Sequence, residues 1–263
     1  MVDALKIRRV HGWDLSLTHG GLVELTDGEV TGFWYYTDRV ASAERSKRWG
    51  YRVPKFKDPD FLARGLARLV WIEGLLGDVL VTRKPDLVVA EDYAYGAEQG
   101  AHQLGELGGQ VRLLCWDANL PLRLHSPGAL KMYGADNGNA NKAAVVAAVK
   151  AKWGHDWAQY NQPWKIGAKE HDTSIGEDLA DAFVLAEMGS KEAMIRAGVF
   201  KLSDLGTDKQ RQSFLRTTPT YPLNVLGREW ILRSNTPADL VAHEPIDESC
   251  RPTPKELGHL GMQ

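Results

Sequence analysis

The chain has 263 residues, of which 43% are apolar and 25% charged, with a formal net charge of −2. This composition is typical of a globular protein and excludes collagen-like, coiled-coil and largely disordered chains. Apolar runs reach about five residues, far short of the 18 or more that a membrane helix needs, so we expect no membrane contact. The two cysteines lie far apart and no secretory signal is visible, which favours a cytoplasmic location.

The pattern of apolar residues predicts strands first, then alternating helices and strands. The predicted strands are residues 10–17, 22–26, 30–36, 87–91 and 122–125, with Gly20-Gly21 and Asp27-Gly28 interpreted as turns. The predicted helices are residues 60–82, 98–115, 139–153 and 177–188. This order indicates an α/β fold whose mixed sheet has three antiparallel strands followed by parallel ones.

The pattern weakens after Ser190, where prolines accumulate. We therefore divide the chain into a core domain of residues 1–190 and a C-terminal extension of residues 191–263, whose role the sequence does not give. Residues 134–142 are rich in Gly and Asn but lack the order of a phosphate-binding loop, so they are interpreted as a connection. Five histidines show no metal-ligand spacing and are assigned no chemistry: His11, His19, His102, His125 and His155.

Four carboxylates stand where a core should be apolar. Asp178 and Asp181 lie three residues apart on a nearly all-apolar helix, Glu91 ends an apolar strand, and Asp14 lies within the first strand. A buried carboxylate is costly unless a cation compensates its charge. Oxygen ligands from three separate elements suit Mg²⁺ or Mn²⁺.

Two alternatives remain open for these acids. Asp92 competes with its neighbour Glu91 for the place at the end of the strand. Glu177 and Asp178 can instead serve as N-terminal charges favoured by the helix dipole, with only Asp181 directed inward.

The same residues resemble a known family, the RuvC-like Holliday junction resolvases of bacteria and bacteriophages, within the ribonuclease H-like superfamily. Gly12-Trp13-Asp14 is similar to the family's first strand, Val89-Ala90-Glu91-Asp92-Tyr93 to its second acidic motif, and Asp178-Leu179-Ala180-Asp181-Ala182 to its acidic helix. The resemblance covers about residues 8–190. Leu15-Ser16 replaces the Pro-Gly that follows the first aspartate in the family, and the segment 34–60 is an insertion with no assigned role.

The resemblance implies a ribonuclease H-like fold and a homodimer that resolves four-way DNA junctions by paired phosphodiester hydrolysis. It implies two Mg²⁺ ions, replaceable by Mn²⁺, held by Asp14, Glu91, Asp178 and Asp181. It further implies basic side chains near the scissile phosphate and aromatic side chains against unpaired bases: Lys131, Lys142, Tyr93 and Tyr95. Some relatives use a histidine as third ligand, so His171, Asp172 or Glu177 could replace Asp178.

The basic residues are concentrated in one segment. Residues 39–57 carry seven Lys or Arg against Glu44 alone, with aromatic side chains between them. The segment can be a solvated face, but this composition also suits nucleic-acid binding. We expect Arg45, Lys47 and Arg48 to contact DNA phosphates.

The same residues and the whole sequence allow other interpretations. The lysines can be exposed helix-end residues, and the tyrosines can cap the core. Other functions compatible with the sequence are a ribonuclease H or transposase-type nuclease, an actin-like or sugar-kinase-like ATPase, and an inert DNA-binding protein. Small residues that would allow two subunits to approach closely, or else pack on the sheet, are Gly100, Ala101, Gly105 and Gly108.

Overall fold

The computed structural model describes residues 3–38, 50–54, 56, 60–92, 101–161, 163–166, 169–172, 174–219 and 221–233. Its centre is a six-stranded sheet with the order β4-β3-β2-β1-β5-β6. The strands are β1 (Arg9–Leu15), β2 (His19–Thr26), β3 (Glu29–Thr37), β4 (Gly50–Arg52), β5 (Leu87–Glu91) and β6 (Leu122–His125). The first three strands are antiparallel, and β1, β5 and β6 are parallel. The predicted mixed sheet, with three antiparallel strands followed by parallel ones, is confirmed.

Helices cover both faces of this sheet. They are α1 (Phe61–Arg83), α2 (Ala101–Asp117), α3 (Pro127–Ala135), α4 (Lys142–Trp153), α5 (Ile175–Arg196) and α6 (Asp208–Leu215). Apolar residues of α1 and α2 fill one face, and those of α3 to α6 fill the other. A separate hairpin joins β7 (Pro163–Ile166) to β8 (Lys169–Asp172). None of the helices in the described part of the chain has the length and apolarity needed to cross a bilayer.

One local prediction at the start of the chain is wrong. Gly20-Gly21 is not a turn, because both residues lie within β2 and the turn is formed by residues 16–18. Strand β1 is buried on both faces along its middle. Helices cover both sides of this central strand, so His11 is as buried as Val10.

Helix α3 begins directly after β6, at a Ser-Pro-Gly sequence. Ser126-Pro127-Gly128 resembles a turn, yet Ser126 caps the helix by accepting a hydrogen bond from the Ala129 amide at 3.3 Å. Pro127 occupies the first turn, where its missing N–H costs nothing. The same three residues therefore begin a helix.

The C-terminal extension packs against the core as far as it is described. Helix α5 continues past Ser190 to Arg196. Phe214, Val225 and Trp230 lie in the same hydrophobic cluster as the central strands and α5. The division at residue 190 stays a prediction.

Candidate active site

Helix α5 crosses the central strand at very short range. A Cβ atom on Gly12 would lie 1.9 Å from the carbonyl oxygen of Ala182, and one on Gly21 would lie 2.6 Å from the backbone of Asp178. Glycine at both positions is what allows the helix to come this close. Since Asp14 pairs with Gly21 across the strands, the first turns of α5 lie over the carboxyl end of β1.

The four predicted acids meet at this edge of the sheet. Asp14 and Glu91 lie at the ends of neighbouring parallel strands, close enough for the charge of Asp14 to act on Glu91. Asp178 and Asp181 are only 2% and 4% exposed. Both aspartates of the helix therefore point inward, whereas Glu177 is only half-buried in the first turn. The interpretation in which Asp178 serves only the helix dipole is wrong.

Burial and mutual repulsion make these acids hard to ionise. Burial, together with the charge of Asp178, raises the pKa of Asp14 to about 6. Burial and the charge of Asp14 also raise the pKa of Glu91 and that of Asp181 well above their ordinary values. Such a cluster is stable in its charged form only beside a compensating cation.

Two side chains from other elements touch the cluster. The Lys142 ammonium, at the start of α4, lies 3.0 Å from Asp178 Oδ1 and 3.9 Å from Asp14 Oδ2. Burial opposes its charge, but the charges of Asp14 and Asp178 outweigh burial and raise the pKa of Lys142. His19 Nδ1 lies 2.7 Å from Asp178 Oδ2.

The residues of the cluster suit a hard cation. Asp181 Oδ1 is buried and has no hydrogen-bond partner among the described residues. A cavity of about 230 Å³ is lined by Asp14, Glu91, Asp178 and Lys142 together with polar neighbours. In the described ranges, no three His, Cys, Asp or Glu side chains are arranged so that they could hold a metal ion without moving. In this arrangement, the Lys142 ammonium neutralises part of the negative charge of Asp14 and Asp178. Two larger grooves of about 850 and 550 Å³ are not lined by any of the four acids.

Comparisons with known proteins find a relative of this chain. No family model matches the chain. The crossover junction endodeoxyribonuclease RuvC of Chloroherpeton thalassium is 29% identical over 136 residues, which are 51% of this chain and 65% of that protein. Over these residues the chain is similar in sequence to that RuvC. The match spans less than two-thirds of the relative's length.

Two solved structures of RuvC from Thermus thermophilus, one in complex with a Holliday junction substrate, are also similar. Their TM-scores are 0.44 and 0.45, at 22% and 19% identity, and each comparison covers 73% of this chain and 97% of that RuvC chain. The RuvC-like resemblance read from the sequence motifs is confirmed by the curated relative.

The structure brings some predicted residues of this candidate site together and leaves others undescribed. Lys131 of α3 lies near enough to Asp181 for its charge to oppose the rise in the pKa of that carboxyl. The predicted DNA contacts all lie outside the described residues: Tyr93, Tyr95, Arg45, Lys47 and Arg48. His171 and Asp172 lie in β8, but their side chains also lie outside the described part.

His19 is the functional candidate that sequence reasoning missed. Spacing along the chain gives it no ligand partner. In the hairpin register, however, Gly21 faces Asp14, and His19 lies two residues away on the same side of β2. A correct placement of the β1–β2 turn would have brought His19 to the acids.

Proposed function

We propose that the chain is a structure-selective DNA endonuclease that resolves four-way junctions by metal-dependent phosphodiester hydrolysis. The observation that carries the proposal is the meeting of Asp14, Glu91 and Asp178 in one cavity at the sheet edge, with Asp181 close enough for the charges of Asp14 and Asp178 to act on it. The similarity to a crossover junction endodeoxyribonuclease supports a branched DNA substrate.

The four acids would hold two Mg²⁺ ions, which Mn²⁺ can replace. Bound ions of this kind activate water and stabilise the leaving oxygen of a phosphodiester. Two observations support this assignment: the Oδ1 of Asp181 has no hydrogen-bond partner among the described residues, and the pKa values of three of the acids are raised.

The chain's own basic groups would orient the substrate at this edge. Lys142 has 41% of its side chain exposed, so its ammonium can bind a phosphate oxygen while it stays close to Asp178. Lys131 would add a second positive charge beside Asp181. His19 would hold Asp178 in its orientation through the hydrogen bond between them.

The substrate assay separates this function from its nearest alternative. A four-way junction, a linear duplex and an RNA/DNA hybrid are each incubated with Mg²⁺, Mn²⁺ or EDTA. We expect symmetric nicks in the junction with either metal and none with EDTA. Cleavage of the hybrid alone would support a ribonuclease H activity, and metal-independent cleavage would contradict the proposed site.

The basic segment 39–57 would contact DNA phosphates next to the site. Replacing Arg45, Lys47 and Arg48 with Gln should weaken binding to all sequences and flatten the salt slope by up to about 0.9 per lost contact. Fluorescence anisotropy at several salt concentrations measures both quantities. An unchanged affinity and slope would leave the segment as a solvated surface.

A homodimer would deliver the paired nicks, because an isologous pair presents two equivalent sites. Three apolar residues four apart along α1 are exposed by 74%, 63% and 57%: Leu62, Leu66 and Val70. On the adjacent α2, a Cβ on Gly105 would meet no atom within 4 Å, so this glycine does not pack on the sheet. Gly100 and the side chain of Ala101 lie outside the described residues.

Light scattering tests the dimer. We expect the parent to have the mass of two chains at micromolar concentration and Leu66→Glu to have the mass of one. A parent that is monomeric both free and bound to a junction would contradict the dimer.

A further inference from the structure

The end of β5 offers two carboxylates in succession. Glu91 joins Asp14 in the acidic cluster, and Asp92 follows it directly, with its side chain only 4% exposed. Asp92 lines the same cavity of about 230 Å³. A second free carboxylate at this place would compete with Glu91 for a cation and add to the repulsion among the acids.

Side chains from two other parts of the fold hold the Asp92 carboxylate away from the cation site. Its Oδ1 accepts a hydrogen bond from Arg112 Nη2 of α2 at 3.1 Å. Its Oδ2 accepts a hydrogen bond from the hydroxyl of Tyr221 in the C-terminal extension. The backbone is fixed as well, because the Asp92 amide donates to the carbonyl oxygen of His125 at 2.7 Å.

Tyr221 is itself firmly placed. The guanidinium of Arg228 lies 4.1 Å from the centre of its ring. The backbone carbonyl of Arg228 in turn accepts a hydrogen bond from Arg123 of β6 at 2.9 Å. The hydroxyl thus reaches Asp92 from a segment that is tied to the sheet next to the acidic cluster.

We propose that Tyr221 is a positioning residue for the acidic cluster. By fixing Asp92 on the α2 side of the strand end, Tyr221 makes Glu91 the carboxylate that β5 presents to the cation. Its hydroxyl is suited to this task because it satisfies Asp92 without placing a further positive charge beside the cation site. This inference rests on the proposed function, since it takes the acidic cluster as a cation site, and it gives the C-terminal extension a role there.

The test is a double-mutant cycle on the full chain with Mn²⁺ as the probe. Tyr221→Phe removes the hydroxyl and keeps the ring under Arg228. We expect Mn²⁺ affinity, measured from the electron paramagnetic resonance signal of the free ion, to fall by about tenfold. Asp92→Asn removes the carboxylate that Tyr221 restrains, so it should keep the Mn²⁺ affinity within about twofold of the parent, and the double variant should recover most of the affinity that Tyr221→Phe loses.

Tyr160→Phe is the matched control. Its ring packs 4.8 Å from Phe33, and removing its hydroxyl should leave Mn²⁺ affinity unchanged. A merely structural role for Tyr221 would lower the melting temperature of Tyr221→Phe and leave its Mn²⁺ affinity within twofold of the parent, which would overturn the inference. A double variant that loses as much Mn²⁺ affinity as Tyr221→Phe would overturn it too.

The same experiment separates this inference from the proposed function. A parent that binds Mn²⁺ while Tyr221→Phe binds it equally well defeats the inference alone. A parent that binds no Mn²⁺ defeats the inference together with the cation site. A parent that binds Mn²⁺ in a Tyr221-dependent manner but cleaves no junction defeats the nuclease proposal and leaves the positioning role intact.

Discussion

Asp181 opposes folding through its buried carboxyl, and the proposed function requires it. Its Oδ1 is buried without a hydrogen-bond partner in the described part of the chain, and burial raises the pKa of its carboxyl. Asp181→Asn keeps the shape and removes the charge. In EDTA we expect a melting temperature equal to or above that of the parent, because repulsion from Asp14 and Asp178 is relieved. In Mg²⁺ we expect junction cleavage to fall by about two orders of magnitude or more.

Glu177 provides the control for that substitution on the same helix. It is half-buried in the first turn, where an acid interacts with the helix dipole. Glu177→Gln should keep the cleavage rate and lose about 0.3 to 1 kcal/mol of stability. Cleavage by Asp181→Asn, Asp14→Asn or Glu91→Gln within about tenfold of the parent would refute the assignment of that acid.

His125 makes the stability of the fold depend on pH. Burial, aided by the charges of Arg123 and Arg228, lowers the pKa of His125 from 6.5 to about 3. Between these two values the unfolded chain binds a proton that the folded chain does not. The free energy of unfolding is therefore highest above pH 6.5 and falls as the pH decreases towards 3. Between pH 7.5 and pH 5 this one group should account for about 2 kcal/mol of lost stability.

Urea unfolding of the parent and of His125→Asn at both pH values measures this dependence. The variant does not titrate in this range, so its loss between pH 7.5 and pH 5 should be smaller by that amount. Comparing the two pH values removes any constant effect of the substitution on packing. Equal losses in the two proteins would show that His125 is not the group responsible.

Contact between elements depends on Gly12, where α5 crosses β1. A Cβ atom there would lie 2.4 Å from the Ala186 backbone nitrogen, and backbone cannot move aside as a flexible side chain can. Gly12→Ala should therefore lower the free energy of unfolding by more than about 2 kcal/mol. It should also reduce cleavage, because a displaced α5 would move Asp178 and Asp181 away from Asp14.

Gly74 of α1 is the matched control. A Cβ on Gly74 would meet no atom within 4 Å. Gly74→Ala should thus stabilise the protein by about 0.5 to 1 kcal/mol, since alanine favours a helix interior more than glycine does. Urea unfolding of both variants compares the two effects. A Gly12→Ala protein as stable as the parent would contradict the tight crossing.

The elements that sequence could predict are those whose signal is local. The strands at residues 87–91 and 122–125 were predicted with their observed bounds, because short apolar runs between turn-forming residues are typical of buried parallel strands. The bounds of α1 differed by one residue at each end. Helix α3 was missed because Pro127 suggests a break, although proline is favoured in a first turn.

The residues of the candidate site also differ in whether the sequence carries a local signal for them. The acids could be predicted because a carboxylate in an apolar helix or strand conflicts with burial, and that conflict is visible in the sequence. His19 could not be found without the β1–β2 register, and Tyr221 contacts Asp92 across 129 positions of the chain. No periodicity or spacing encodes a contact of that kind, since it depends on where the extension returns to the sheet.

At the scale of the whole molecule, the extension completes the core. Arg123 of β6 is 2% exposed, and its guanidinium lies 2.6 Å from Glu192, which is fully buried beyond the predicted boundary at 190. Phe214 and Trp230 fill the same hydrophobic cluster as α5. A chain that ends after Ser190 would leave a buried charge without its partner and open a large part of the core to water.

Truncation tests this dependence directly. We expect residues 1–190 to unfold without a cooperative transition, whereas residues 1–233 should unfold with a midpoint near that of the full chain, because they keep every contact of the extension described above. Circular dichroism during urea titration distinguishes the two results. A cooperative transition of near-parental stability in residues 1–190 would show that the core folds alone. In that event the buried pair of Arg123 and Glu192 would contribute little to folding, and the contact of Tyr221 with Asp92 would remain the main link between the extension and the acidic cluster.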